Sequence, residues 1–294
     1  MRLRYLALLL ATVVVSLAAL PAEGITWGLK SAAGPTEADP SYPPTSLFKF
    51  DETPGSLIDI GAVKVGGANI DADGLAYTSA KGLYAFYLTK GVGTVNSTLI
   101  KINPADATAT TIGSSMSGRN IRGATFDASG ALWALDAAND NLLTIDPATG
   151  GVVSQVGLTL GGSSFNLLTG TDIAYRPDKN KFYMTNVADI YEVTPGGTMT
   201  YLFTDTGQQL VGAAFSLRAA TDDLFGLEVN GPDDIYVYDV DSGFTRTTLY
   251  PNIIPGFNAG RGDLAADPVP EPLTMAGLGL GIMGLVGYIR RRRG

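Results

Sequence analysis

The 294-residue chain contains no cysteine and no histidine. Without cysteine there is no disulfide framework and no thiolate metal site. Without histidine there is no Ser-His-Asp arrangement, no imidazole general base and none of the commonest metal ligand. No glycine-rich phosphate loop followed by lysine is present either, so nucleotide chemistry of that kind is excluded. Charged residues make up only 16% of the chain, and acidic ones outnumber basic ones 28 to 20. What the chain has in quantity is glycine, 37 residues, with short apolar runs between them.

Only two apolar runs are long enough to meet a membrane, and they sit at the ends. Arg2 and Arg4 precede an apolar stretch from Tyr5 to Leu20, followed by Pro21-Ala22-Glu23-Gly24. A short basic region, an apolar core and small residues read as a secretory signal peptide over residues 1–24. Export through the Sec translocon and cleavage by signal peptidase follow as expectations. At the other end, Val269-Pro270-Glu271-Pro272 leads into the uncharged run Leu273 to Ile289, then Arg290-Arg291-Arg292-Arg293. As a helix this run would span roughly 25 Å, near the hydrocarbon thickness of a bilayer. The arginines would stay cytoplasmic and leave the preceding chain outside.

Pro270-Glu271-Pro272, a membrane helix at 273–289 and an arginine-rich end together resemble the PEP-CTERM sorting signal of Gram-negative bacteria. The same tail is also known as an ice-binding protein C-terminal domain, a label for the tail and no sign of ice binding. The resemblance covers residues 269–294. It implies processing by an exosortase, a membrane cysteine transpeptidase of species that make extracellular polysaccharide. The chain would be anchored transiently in the inner membrane and then displayed at the cell surface or in a biofilm matrix.

Between these ends lie residues 25–268. Six basic residues (Arg2, Arg4 and the four tail arginines) and two acidic ones (Glu23, Glu271) belong to the ends, which leaves 14 basic and 26 acidic residues and a net charge of −12 in the body. Such a charge disfavours nucleic acid and anionic lipid surfaces.

The body repeats. A motif of small residue, apolar, small, aromatic occurs as Gly74-Leu75-Ala76-Tyr77, Gly123-Ala124-Thr125-Phe126, Asp172-Ile173-Ala174-Tyr175 and Gly212-Ala213-Ala214-Phe215, with a weaker copy at Asp263-Leu264-Ala265-Ala266. Each full copy is followed by a second apolar run such as Leu132-Trp133-Ala134-Leu135. A strand ending in Asp or Pro comes next, such as Leu142 to Pro147, and a last strand follows a turn such as Asp146-Pro147-Ala148-Thr149-Gly150. Four short strands recurring every 40 to 50 residues are the pattern of propeller blades.

The chain ends complete the count. Ile25-Thr26-Trp27-Gly28-Leu29 matches a second strand, Ser46 to Asp51 a third and Ser56 to Gly61 a fourth, while Asp263 to Ala266 is a first strand without successors. The reading is an all-β five-bladed β-propeller over 25–268, its last blade closed by both chain ends, with six blades as the alternative. Closure of this kind protects open sheet edges. The body resembles secreted propellers with a repeated Leu-x-x-Ile-Asp-Pro-x-Thr-Gly strand and turn, here Leu142 to Gly150. The resemblance implies a fold, and function has to be argued from a site.

Few local motifs carry chemistry. Asn69-Ile70-Asp71-Ala72-Asp73-Gly74 begins like a calcium loop, but position twelve is Ala80, where a bidentate glutamate is required. Asn69, Asp71 and Asp73 are therefore weak metal candidates, and no cofactor is expected beyond a possible Ca²⁺. Arg261-Gly262-Asp263 spells an adhesion tripeptide, but its Asp reads better as the start of a strand. Asp222-Asp223, Asp233-Asp234, Asp239 and Asp241 could pair for acid–base work, although they fall at turns and strand edges. Without histidine or cysteine the expectation is a protein that is not an enzyme. It would be an exported surface or matrix propeller binding polysaccharide or a protein partner. The alternative is a metal-assisted or two-carboxylate enzyme acting on surface glycans or lactones.

Overall fold

A computed structural model describes residues 25–32, 44–51, 56–90, 94–168, 170–215, 223–229, 234–253 and 259–267. The signal peptide and the whole sorting tail lie outside the described residues, as does most of the Pro- and Ser-rich stretch between Ser31 and Thr45. Among the described residues there is no helix.

Strands form where the apolar runs are, and turns where Gly, Asn and Asp fall. In chain order, β1 (Ile25–Ala32), β2 (Ser46–Asp51) and β3 (Leu57–Ala62) begin the first blade. A short hairpin follows, β4 (Lys64–Val65) and β5 (Ala68–Asn69). The second blade is β6 (Ala72–Thr78), β7 (Gly82–Lys90), β8 (Val95–Ile102) and β9 (Thr108–Thr111). The third is β10 (Ile121–Phe126), β11 (Leu132–Asp136), β12 (Asn141–Ile145) and β13 (Val152–Gly157). A second short hairpin, β14 (Thr159–Leu160) and β15 (Ser163–Ser164), precedes the fourth blade of β16 (Thr171–Arg176), β17 (Lys181–Asn186), β18 (Asp189–Val193) and β19 (Thr198–Thr204). The fifth holds β20 (Leu210–Phe215), β21 (Asp223–Glu228), β22 (Ile235–Asp239) and β23 (Thr245–Tyr250), and β24 (Ala259–Ala265) ends the described chain.

Five sheets result, and the first has the order β24-β1-β2-β3. The C-terminal strand pairs antiparallel with β1, with Trp27 opposite Ala265 and Leu29 opposite Asp263. The ring is thus a five-bladed propeller closed by both ends of its chain, as the repeat count predicts. Five blades follow, rather than six, because the three N-terminal strands and the C-terminal strand belong to one sheet.

Each blade packs on both faces near the axis, so the inner strands cannot alternate between apolar and polar residues. In β10, β16 and β20 every residue is buried. The apolar side chains sort into five clusters, one for each contact between neighbouring blades. Leu75 and Ala76 show how this works: adjacent in β6, they enter the clusters on opposite sides of the second blade. The outermost strands face water, and β13 is exposed along most of its length.

The two short hairpins are not anticipated by the repeat. β4 pairs parallel with β9, and β14 pairs parallel with β19, so each hairpin extends the outer edge of the next blade to six strands. Their turns are Gly66-Gly67 and Gly161-Gly162, all with positive φ. That is the backbone a tight two-residue hairpin needs, and the Gly-Gly pair is the sequence signal that could have revealed both. Covering an outer edge in this way leaves fewer free backbone groups for other chains to pair with.

Candidate functional site

The five innermost strands, β24, β6, β10, β16 and β20, bring the first position of the repeated motif to the propeller axis. There the strands come too close for ordinary side chains. A Cβ on Gly123 would lie 2.6 Å from both Cα and Oδ1 of Asp172, and one on Gly212 would lie 2.9–3.1 Å from Leu227, Leu264 and Asp263. Three of the five positions are glycine, and the other two are Asp172 and Asp263. Their carboxyl groups fill the axis, and both residues are fully buried.

Hydrogen bonds tie these carboxyls to neighbouring blades. Asp172 Oδ2 accepts the Ala213 amide at 2.5 Å and the Leu264 amide at 3.4 Å, and its Oδ1 accepts the Ile173 amide at 2.6 Å. Asp263 Oδ2 accepts the Leu75 amide at 2.5 Å. One position earlier in the repeat, Asp73 and Arg122 form a second buried pair, with Arg122 Nη1 donating to Asp73 Oδ2 at 3.0 Å. A buried carboxylate loses hydration, which favours its neutral form. Burial pushes the Asp172 carboxyl up to about 7 against the pull of its hydrogen bonds. Burial also raises Asp263 well above the usual carboxylate range, reinforced by the negative charges of Asp172 and Asp73.

Beside the pair, the ends of the innermost strands leave a small pit. Thr125, Ala174, Tyr175, Ala213, Phe215 and Asp267 are among the residues lining it. Alanines line it because side chains crowd the axis. Ala213, whose amide donates to Asp172, is part of its wall. Asp267 is held at the rim by the Ser79 amide at 2.9 Å.

Among the described residues, the carboxylates singled out by sequence do not form a buried pair at the axis, although Asp223 stands opposite Asp239 across β21 and β22. Asp241 binds the Arg176 guanidinium at 3.0 and 3.1 Å. Asp234 accepts the Asn252 amide at 2.7 Å, and Asp239 accepts the Ser242 amide at 2.9 Å. Asp223 opens β21, while Asp222 and Asp233 lie outside the described residues. The calcium candidates separate too. Asn69 is exposed in β5, Asp71 accepts the Thr45 hydroxyl at 3.2 Å, and Asp73 is paired with Arg122. Among the described residues no group of three or more acidic side chains is placed to hold a metal ion. Asp263 of the Arg-Gly-Asp tripeptide is buried at the axis. Val269 to Pro272 and Arg290 to Arg293 lie outside the described residues. The meeting of Asp172 with Asp263 was missed, yet it left a trace: both stand where the other repeats carry glycine.

No family model and no curated protein matches the chain. Solved structures do. A Bacteroides thetaiotaomicron protein of unknown function superposes over 84% of this chain and 72% of its own, with 13% identity and a TM-score of 0.51. Virginiamycin B lyase from Staphylococcus aureus covers 80% of this chain and 76% of its own at 15% identity and a TM-score of 0.40. Myxococcus xanthus glutaminyl cyclase covers 63% and 77% at 19% identity and a TM-score of 0.41. The first of these likenesses shows the fold alone. The expectation that the chain is not an enzyme is not carried forward: it treated missing histidine and cysteine as decisive, while the solved structures that match include a lyase and a cyclase, and the likeness assigns neither activity to this chain. The fold and site define a β-propeller of five blades with a carboxyl-filled axis.

Proposed function

We propose that this protein is an exported propeller sorted through its PEP-CTERM tail by an exosortase and displayed at the cell surface, where it binds extracellular polysaccharide. The observation that carries the reading is where the ring closes. β24 ends at Ala265 and Asp267 is fastened to Ser79, so the propeller is complete before Val269 begins the sorting motif. Cutting at the motif would leave every blade whole. The two apolar ends are the parts that processing would remove, and the described blades are built from the residues between them.

Support for a sugar ligand comes from the fourth blade. Tyr201 on β19 is 50% exposed. It stands edge-on to Tyr191 at 5.8 Å, and Phe165 packs against Tyr191 at 5.1 Å. A rigid, half-exposed tyrosine offers an apolar face with a polar tip, which suits the flat face of a sugar ring.

Peptide mapping tests the sorting. The exported protein should yield no peptide from Leu273 onward, and intact tail peptides in the extracellular fraction would sink the reading. Binding is tested on the same exported protein with polysaccharide from the producing strain. Tyr201→Ala should weaken co-sedimentation roughly 5–30-fold, the range of one lost stacking contact of about 1–2 kcal/mol. Unchanged binding would remove Tyr201 from the ligand face, and capture of a protein instead of the glycan would replace the ligand class.

A further inference from the structure

The axis contains an oxygen that no described N–H or O–H reaches. Asp263 Oδ1 is fully covered and accepts no hydrogen bond from a described donor. Its companion Oδ2 is held by Leu75, and Asp172 Oδ2 reaches the amide of the next residue, Leu264, at 3.4 Å, which brings the two buried carboxyls together at the axis. Two ionised carboxylates are acceptors only and cannot hydrogen-bond to each other, so contact between them requires a proton on one. A dry site also disfavours two adjacent negative charges.

We propose that Asp172 and Asp263 hold one proton between them and form a proton-dependent clasp on the strand that closes the ring. With the proton in place, the pair joins β16 to β24. Through backbone amides it also holds β20 and β6, so four of the five innermost strands are fastened at one point. When the carboxyl O–H bond breaks and the proton leaves to solvent, the charge of the pair goes from −1 to −2. The two groups then repel, and β24 loses its fastening.

Among the described residues, the cationic side chains on the elements around the pair have carboxylate partners of their own. From β6, Asp73 faces it and adds negative charge. From β10, Arg122 is directed to Asp73. β20 presents amides and no ionisable side chain. On β1, Lys30 pairs with Asp59 at 2.7 Å, and on β11 Asp136 is bound by Arg119 at 2.8 Å. On β16 itself Arg176 is bound to Asp178 and Asp241, and on β17 Lys181 is bound to Glu192. Glu228 of β21 is buried and adds negative charge at Tyr236.

The direction of the pH dependence follows. An unfolded aspartate releases its proton near about 3.9. In the ring Asp172 does so at about 7, and Asp263 is raised as well. The folded chain therefore holds the proton more tightly than the unfolded one. The stabilisation is complete below the unfolded value and is lost as pH rises through the folded value.

The test is thermal unfolding of the full-length chain in detergent from pH 5 to pH 8, with Asp263→Asn and Asp172→Asn alongside. An asparagine amide supplies the N–H that the proton would otherwise provide, without a charge. The unmodified chain should lose roughly 5–10 °C of Tm across this range, while either variant holds nearly level and melts above it at pH 8. Variants that follow the same slope as the unmodified chain overturn the clasp. Should neither variant fold, the infrared spectrum of the unmodified protein decides. A protonated-carboxyl C=O band at pH 6 that fades by pH 9 supports the clasp, and its absence at pH 6 overturns it.

Discussion

Gly123 is where a single added carbon would be least tolerated. Its missing Cβ is the space that Asp172 occupies, with the backbone Cα as close as the carboxyl oxygen. Gly123→Ala must therefore move β10 or β16, and no side-chain rotation relieves it. The expected cost is about 1–3 kcal/mol, the range for forced overpacking, read as a lower urea midpoint with an unchanged slope. Gly151→Ala is the control, because its Cβ would meet only the Thr149 hydroxyl at 3.4 Å. Equal losses in the two variants would mean that the axis is looser than its geometry. This scale was half legible. The repeat showed that a small residue belongs at the motif's first position. It also showed that two of the five copies put an aspartate there, but not that the ring brings these two together.

At the scale of elements, β24 is the strand on which closure depends. It buries Leu264 completely, pairs with β1, and carries Asp263 into the axis. A chain ending at Pro255 loses all three. Leu264 alone contributes about 1.5–3 kcal/mol, and each lost ladder hydrogen bond about 0.5–1.5 kcal/mol. Against a typical total of about 5–15 kcal/mol, the shortened chain should melt far below one ending at Asp267, or fail to fold. Equal melting temperatures for the two would mean that the ring closes without this strand. The four-strand order of each blade was readable because turn residues separate the apolar runs. The hairpins β4–β5 and β14–β15 were not, since two-residue strands carry too little alternation to be seen, and their Gly-Gly turns read as ordinary loops.

For the whole molecule, the order of the parts matters. In the proposed reading, targeting ends flank a ring whose closure is internal, so display and folding are separable. Glu271→Ala should leave unprocessed protein in the inner membrane, detected as tail peptides from Leu273 onward, while the melting temperature of the ring stays unchanged. A variant processed as before would mean that the Pro-Glu-Pro motif is not what the processing enzyme reads. A fall in Tm would mean that the tail is part of the fold.

What the sequence determined by itself is the ring. Repeat spacing, strand lengths and the incomplete strand sets at the two ends point to five blades with six as the alternative, and the pairing of β24 with β1 decides for five. The proposed roles of the two end segments rest on sequence alone, because an apolar run and its flanking charges are local properties. The axis was decided only by tertiary structure. Asp172 and Asp263 are 91 residues apart in the chain and lie on strands separated by a whole blade. Their meeting, their burial and their raised affinity for a proton depend on how tightly five strands converge around a point. That convergence belongs to the closed ring and to no single segment of it.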